Sequence, residues 1–181
     1  MLPTARLFIA VPAADEVRRA AARLIAELRL SGADFKWVEP ENLHLTLRFF
    51  GATPLERLPE IESLMGKAAR RPRFAVSFGP VGAFNSWEDP KVLWVGVGQG
   101  AAELAALAES LGASAEGRPF SAHLTIGRRR GRGGGERLKA AARRAGFPEL
   151  RQEVDRIVLF ESRLTAQGPA YSIRKEESFL S

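Results

Sequence analysis

The chain has no cysteine, a single tyrosine and only two histidines. Without cysteine there can be no disulfide, no thiolate nucleophile and no Cys-based zinc site, which is compatible with a reducing compartment. No uncharged apolar run reaches the ~18 residues of a membrane span. The opening stretch MLPTARLFIAVPAADEV has too short an apolar core and the wrong flanks for a secretory signal. The expectation is a cytoplasmic protein with no membrane segment. Lysine is scarce too, at five of 27 basic residues; the remainder are arginine. Arginine's planar fork suits phosphate better than lysine's point charge does. With 21 acidic residues the net charge is +6, a balance that leans towards a polyanionic partner such as RNA, although high-GC coding alone also favours arginine and alanine.

The 181 residues, 45% hydrophobic and 27% charged, suffice for one domain or two small lobes with a real core. No stretch reads as a linker, so residues 1–181 are taken as one unit. RLFIAV (Arg6–Val11) reads as a buried strand. Ala13–Leu30 reads as an amphipathic helix, with Val17, Ala21, Leu24, Ile25 and Leu28 on one face. Residues 35–38 and Leu43–Phe50 read as strands around a Pro/Asn turn. In the next helical pattern Thr53 is the expected N-cap, Pro54 the first position and Glu56 the partner in a capping box. Pro59 lies inside that pattern and allows a later start. Two strands follow (73–84 and 91–98), then a helix over 101–113, a strand over 120–128, and a basic loop at Arg128–Gly135. A short helix ends at Gly146, and two strands, 153–165 and 169–179, close the chain as an antiparallel pair. Strands and helices mix without a strict βαβ period, which predicts an α+β fold with largely antiparallel sheet.

The two histidines are not scattered. His44 opens His-Leu-Thr in NLHLTLRFFG, and His123 opens His-Leu-Thr in SAHLTIGRRR, 79 residues later. On a strand, side chains alternate between faces. Leu43, Leu45 and Leu47 would then share the core face while His44 and Thr46 share the other; His123 and Thr125 stand likewise above Leu124 and Ile126. One such phrase alone reads best as a strand histidine satisfied by a neighbouring hydroxyl. Two of them, one in each half, point to two similar lobes and to shared chemistry. Imidazole titrates near pH 6.5, so one ring can take a proton from water while the other gives one to a departing alkoxide. Threonine hydroxyls can donate to the non-bridging oxygens of a phosphate between them, and an arginine adds charge stabilisation. Two histidines without a clustered third ligand make a poor zinc site, so no metal and no cofactor is expected.

These segments resemble the two-histidine phosphoesterase superfamily, and within it the bacterial and archaeal 2′-5′ RNA ligase-like family of RNA 2′,3′-cyclic phosphodiesterases. RLFIAV is similar to that family's opening strand, WVEPENLHLTLRFFG to its first motif segment and LWVGV to its central strand. FSAHLTIGRRR is similar to the second motif segment, and IVLFESRLTAQGPAYSI to the closing hairpin. The likeness runs nearly end to end. It implies a bilobal fold in which two mainly antiparallel sheets form a V-shaped cleft with pseudo-twofold symmetry, helices outside. It implies metal-independent hydrolysis of RNA 2′,3′-cyclic phosphate ends to 2′-phosphates, with reversible 2′-5′ RNA joining as a second reaction. His44 and His123 are then catalytic, His123 as base and His44 as acid, and Thr46, Thr125 and Arg128 bind phosphate. The closing YSIRKEESFLS is more charged than that family's hydrophobic ending.

Further candidates come from the residues themselves. Arg48, two places beyond Thr46, shares its face if the strand is regular. Arg129, Arg130 and Arg132 flank a Gly-rich stretch, read either as a solvated loop or as an RNA-backbone clamp. Trp37, Phe50, Trp87, Trp94 and Tyr171 are candidates for base stacking; Phe8 is assigned to the core. The expected partner is RNA with cyclic phosphate ends, nucleotides being a further ligand class, and the expected state is a monomer. Two rival functions stand beside the first: an RNA- or nucleotide-binding module without turnover, and a phosphodiesterase acting on small cyclic-phosphate nucleotides.

Overall fold

Alternating leucines and branched residues build strands, and alanine-rich amphipathic segments build the helices that cover them. In the computed structural model, residues 3–113, 119–131, 135–166 and 168–181 are described. The order is β1 (Thr4–Pro12), α1 (Asp15–Arg29), β2 (Phe35–Trp37), β3 (His44–Pro54), α2 (Leu58–Ala68), β4 (Phe74–Asn85), β5 (Pro90–Val97), α3 (Ala101–Ser110), β6 (His123–Arg129), α4 (Gly135–Ala145), β7 (Leu150–Val154), β8 (Arg156–Thr165) and β9 (Gly168–Ser178). The strands run in the order β7-β4-β5-β6-β3-β1-β8-β9, with β2 added to β6, and each strand pair is antiparallel.

The order divides into two lobes. One holds β3, β1, β8 and β9; the other holds β6, β5, β4 and β7, with β2 on its edge. They meet where β3 pairs with β6, through the single partner pair Leu45–Leu124. Both strands begin at this seam and run apart in opposite directions. A twofold relation is visible in the connections: β1–α1–β3 in one lobe answers β5–α3–β6 in the other, and the closing strand of each unit opens on a histidine. Registers agree as well. His44 and Thr46 pair with Pro12 and Ala10 of β1, and His123 and Thr125 pair with Gly96 and Trp94 of β5. The α+β, two-lobed expectation therefore holds, with the two sheets continuous through one narrow join.

The helices lie on the core face of the sheet. Val17, Ala21, Leu24, Ile25 and Leu28 of α1 are buried as the periodicity predicts, and α1 packs against α4. Leu45 and Leu124, at 1% and 0% exposure, anchor the seam from beneath. Truncating either to alanine should cost about 2–5 kcal/mol. A second tie between the lobes is polar: Gln152 of β7 donates from Nε2 to the Pro12 carbonyl and accepts from the Ala14 amide, both at 2.8 Å.

Two boundaries differ from the sequence reading. β3 continues to Pro54 because Thr53 and Pro54 pair with Ala5 and Thr4 of β1. Thr53 therefore caps nothing; its hydroxyl donates to the Gly51 carbonyl, and α2 starts at Leu58 with Pro59 in its first turn. The stretch read as one strand over 153–165 is split at Asp155. β7 pairs with β4 in one lobe and β8 with β1 in the other.

Candidate active site

The seam places both His-Leu-Thr phrases together. Leu45 and Leu124 face the core, so the residues on either side face the opposite way. In the antiparallel register of that pair, His44 lies across from Thr125, and Thr46 across from His123. His44 and His123 are then diagonal neighbours, which stand roughly 7–8 Å apart with their Cβ atoms somewhat closer. That spacing leaves room for one phosphate between the rings of His44 and His123. A cleft of about 1170 Å³ opens here, lined by His44, Thr46, Thr125, Arg128 and Arg130 among others. His123 is not among the lining residues of this hollow. The register nevertheless puts it beside Thr46, and its charge is felt at His44.

Each ring is fixed in the same way. His44 Nδ1 lies 2.7 Å from the Asn42 carbonyl oxygen, and His123 Nδ1 lies 2.7 Å from the Ser121 carbonyl oxygen. A carbonyl only accepts, so both Nδ1 atoms carry the proton and donate it. In the neutral ring this leaves the lone pair on Nε2. Asn42 is itself placed by a one-turn 3-10 helix at Pro40–Asn42 and by its side-chain bond to the Pro169 carbonyl, 3.3 Å. The partner is backbone in both cases, so the identities of Asn42 and Ser121 carry no signal for it in the sequence.

Phenylalanine rings back the histidines. Phe8 lies 4.8 Å from the His44 ring, tilted, and Phe84 meets the His123 ring edge-on at 4.7 Å. Tyr171 approaches His44 at 5.6 Å. This apolar packing sets the electrostatics. Burial pushes the His44 pKa down to about 4. The Asn42 carbonyl opposes that, while the charges of Arg128 and His123 reinforce it. His123 is lowered for the same leading reason, opposed by Ser121 and reinforced by Arg128. Both rings are therefore neutral near pH 7. Burial raises the Tyr171 phenol above its usual range, against the pull of Arg128 and Arg6, so it remains a donor.

Arg128 stands three residues after Thr125, a spacing that would put it on the core face of a regular strand. A β-bulge between the pairs Leu93–Gly127 and Trp94–Thr125 turns it back into the cleft. Gly127 permits this, since a Cβ there would meet Trp37 at 2.9 Å. β3 carries the twin bulge, between the pairs Ile9–Arg48 and Ala10–Thr46, so it is not regular and the expectation for Arg48 fails. Arg48 turns to the helix side, donates to the Leu111 carbonyl at the end of α3, and lies 4.5 Å over the Phe50 ring. Its role there is to complement the helix C-terminus. Phe50 goes with it and does not line the cleft.

Arg130 lines the cleft, its amide held by the Asp34 carbonyl at 2.9 Å. Arg129 is paired with Asp89, and Arg132 lies outside the described residues. Among the aromatic candidates, Trp37 and Tyr171 line the cleft, and Trp87 and Trp94 do not. Phe8 is buried, as assigned, yet it also forms part of the cleft floor. Sequence reasoning missed Arg6, Phe49 and Phe160, which the pairing of β1, β3 and β8 brings to this face. Five cations line the cleft (Arg6, Arg29, Lys36, Arg128 and Arg130) against two carboxylates, Glu39 and Glu41. Among the described residues no three of His, Asp and Glu gather into a metal-binding group, and no helix is long and apolar enough to cross a membrane.

Comparison with known proteins adds an independent line. The family model described as LigT like Phosphoesterase matches residues 11–94 and 96–171. An Archaeoglobus fulgidus protein named RNA 2′,3′-cyclic phosphodiesterase is 37% identical over 174 residues, covering 92% of this chain and 96% of its own. A Thermotoga maritima protein of the same name is 32% identical, with 96% and 95% covered. Among solved structures, a Thermus thermophilus protein superposes with a TM-score of 0.80 at 29% identity over 96% of this chain and 97% of that one. Escherichia coli LigT in complex with NADP+ superposes with a TM-score of 0.75 at 26% identity over 98% and 99%.

Proposed function

This chain belongs to the LigT-like phosphoesterase family, and we propose that it is an RNA 2′,3′-cyclic phosphodiesterase whose cleft opens the cyclic phosphate to a 2′-phosphate without a metal ion. The observation that carries the mechanism is the seam itself. Its register sets the two imidazoles diagonally across one strand pair at the edge of the cleft that His44 lines, each with Nδ1–H held by a carbonyl and Nε2 left for proton transfer. Thr46 and Thr125 stand beside them to donate to the non-bridging oxygens, and Arg128 adds positive charge where the transition state gathers negative charge.

In the forward direction His123 takes the proton of the attacking water and His44 gives one to the departing 3′-oxygen. Bonds balance: water oxygen joins phosphorus, the P–O3′ bond breaks, and the 3′-oxygen leaves as a hydroxyl. His44 must be charged to act as acid, although burial holds its pKa at about 4. The phosphodiester anion supplies the remedy, since a negative charge a few ångströms away favours imidazolium. Substrate and acid proton thus enter together. An RNA 5′-hydroxyl in place of water needs the same base, acid and phosphate contacts and expels the same 3′-oxygen, so 2′-5′ joining is the parallel reaction, and the two rings exchange roles only when the 2′-5′ bond is cleaved again. The excess of arginine in the cleft suits an RNA end, and the NADP+ complex of a solved relative supports nucleotides as further occupants.

The test is hydrolysis of an oligonucleotide bearing a 2′,3′-cyclic phosphate, in EDTA. His44→Ala and His123→Ala should each lose on the order of 10²–10⁴ in rate. A strict metal requirement, or an active His44→Ala protein, would contradict the mechanism. Tight binding by the wild type with no turnover would favour a non-catalytic module.

A further inference from the structure

We infer that Lys36 and Arg130 form a second phosphate subsite at the β2 end of the cleft, which takes the phosphate on the 5′ side of the terminal nucleotide, one ribose unit from the phosphate that reacts; this rests on the phosphodiesterase reading above. Strand register leads to it. Lys36 of β2 is paired directly with Arg128 of β6, so the two side chains leave the sheet on one face, and both line the cleft. Arg130, two residues on, lines it as well; the Asp34 carbonyl holds its amide, so the pairing continues to that point. Like charges directly opposite destabilise a strand pair. Here three cations stand together, and none has a carboxylate partner among the described residues. Glu39 and Glu41 line the same hollow and pair with none of them. The arrangement lacks an anion, and a phosphate would supply it.

Position separates this subsite from the reacting phosphate. The β5 partners of Thr125 and Arg128 are Trp94 and Val92, two residues apart, which is about 7 Å along the strand. Lys36 is level with Arg128, and its amine reaches across the cleft to the β8–β9 turn, where a Cβ on Gly168 would stand 2.9 Å from Nζ. Tyr171, whose ring meets His44, lies three residues further along β9 in unbroken register, about 10 Å away. Both measures put Nζ beyond the two imidazoles by roughly the length of one nucleotide unit. A terminal nucleotide laid along this face has its cyclic phosphate at the His-Leu-Thr phrases and its 5′ phosphate against Lys36, with Arg130 beside it.

The experiment compares kcat/KM for adenosine 2′,3′-cyclic phosphate with and without a 5′-phosphate, so the two substrates differ in that one group. The wild type should prefer the 5′-phosphorylated substrate. Lys36→Met keeps the aliphatic stem and removes the charge. It should cut the preference roughly tenfold, which is what one charged hydrogen bond contributes, and lower the salt slope of binding by about one. Arg130→Gln should reduce the preference too. The urea midpoint of Lys36→Met should hold or rise, since one of two opposed cations is gone; a lower midpoint would mean that the fold already satisfies this charge, and would count against the subsite. No preference in the wild type, or an unchanged preference in Lys36→Met, would overturn it. So would an equal loss on both substrates, which would place Lys36 at the reacting phosphate. Calorimetric titration of adenosine 3′,5′-bisphosphate against adenosine 3′-phosphate reads the same subsite without turnover. If the wild type hydrolyses neither substrate, the reaction fails, while a selective loss of bisphosphate affinity in Lys36→Met still supports the subsite and an equal loss still rejects it.

Discussion

His44 should make the folded protein sensitive to mild acid. Its pKa drops from 6.5 to about 4 on folding, chiefly through burial among Phe8, Phe160 and Tyr171. A lowered folded value means that the unfolded chain binds the proton more readily. The stability this neutral ring permits is complete above pH 6.5, is lost as pH falls from 6.5 towards 4, and changes no further below that. Between pH 8 and pH 5 the two values give about 2 kcal/mol from this one group. The ring keeps some access to the cleft, so about 1–2 kcal/mol is the working range. The assay is urea denaturation in phosphate-free buffer at both pH values, for the wild type and His44→Gln. The wild type should lose about 1–2 kcal/mol more than the variant over this interval. Parallel losses would show that the ring titrates normally and that its packing is not as described. Adding adenosine 2′-phosphate should narrow the difference, because an anion between the rings favours the charged form.

Other substitutions separate the parts of the cleft. Thr46→Val and Thr125→Val should each reduce kcat on the order of 10²-fold, with little change in urea midpoint, if the hydroxyls meet the phosphoryl oxygens; equal loss of stability and rate would point to folding alone. Arg48→Met should leave kcat within about twofold and cost about 0.3–1 kcal/mol, the worth of a cation at a helix end. Gly127→Val should push Trp37 and displace Arg128, raising KM for cyclic-phosphate RNA while the protein still folds, as followed by circular dichroism and initial rates.

Much of the site could be read from the residues because strand alternation is a strict rule. Leu43, Leu45 and Leu47 had to share a face, so His44 and Thr46 had to share the other, and the repeated phrase tied the two halves together. The rule fails at bulges, and no local composition announces one. Arg48 and Arg128 therefore exchanged fates: regular alternation favours the first, but twin bulges send it to a helix end and bring the second into the cleft. The residues of β1 and β8 that complete the site were hidden for another reason. Phe8 reads as core and Phe160 carries no signal of its own, and only the pairing of β1 with β8 shows that one side of that core is the cleft floor. Helix starts were similarly obscured, since a good capping sequence at Thr53 was overridden by pairing of the same residues with β1.

The most direct test of the central claim follows the oxygen. Single-turnover hydrolysis of an oligonucleotide 2′,3′-cyclic phosphate in ¹⁸O-labelled water and EDTA should give a 2′-phosphate carrying one labelled oxygen, and both His44→Ala and His123→Ala should abolish its appearance on the same timescale. A 3′-phosphate product, or labelled 2′-phosphate formed at the wild-type rate after removal of either ring, would contradict a mechanism built on two imidazoles at one phosphorus.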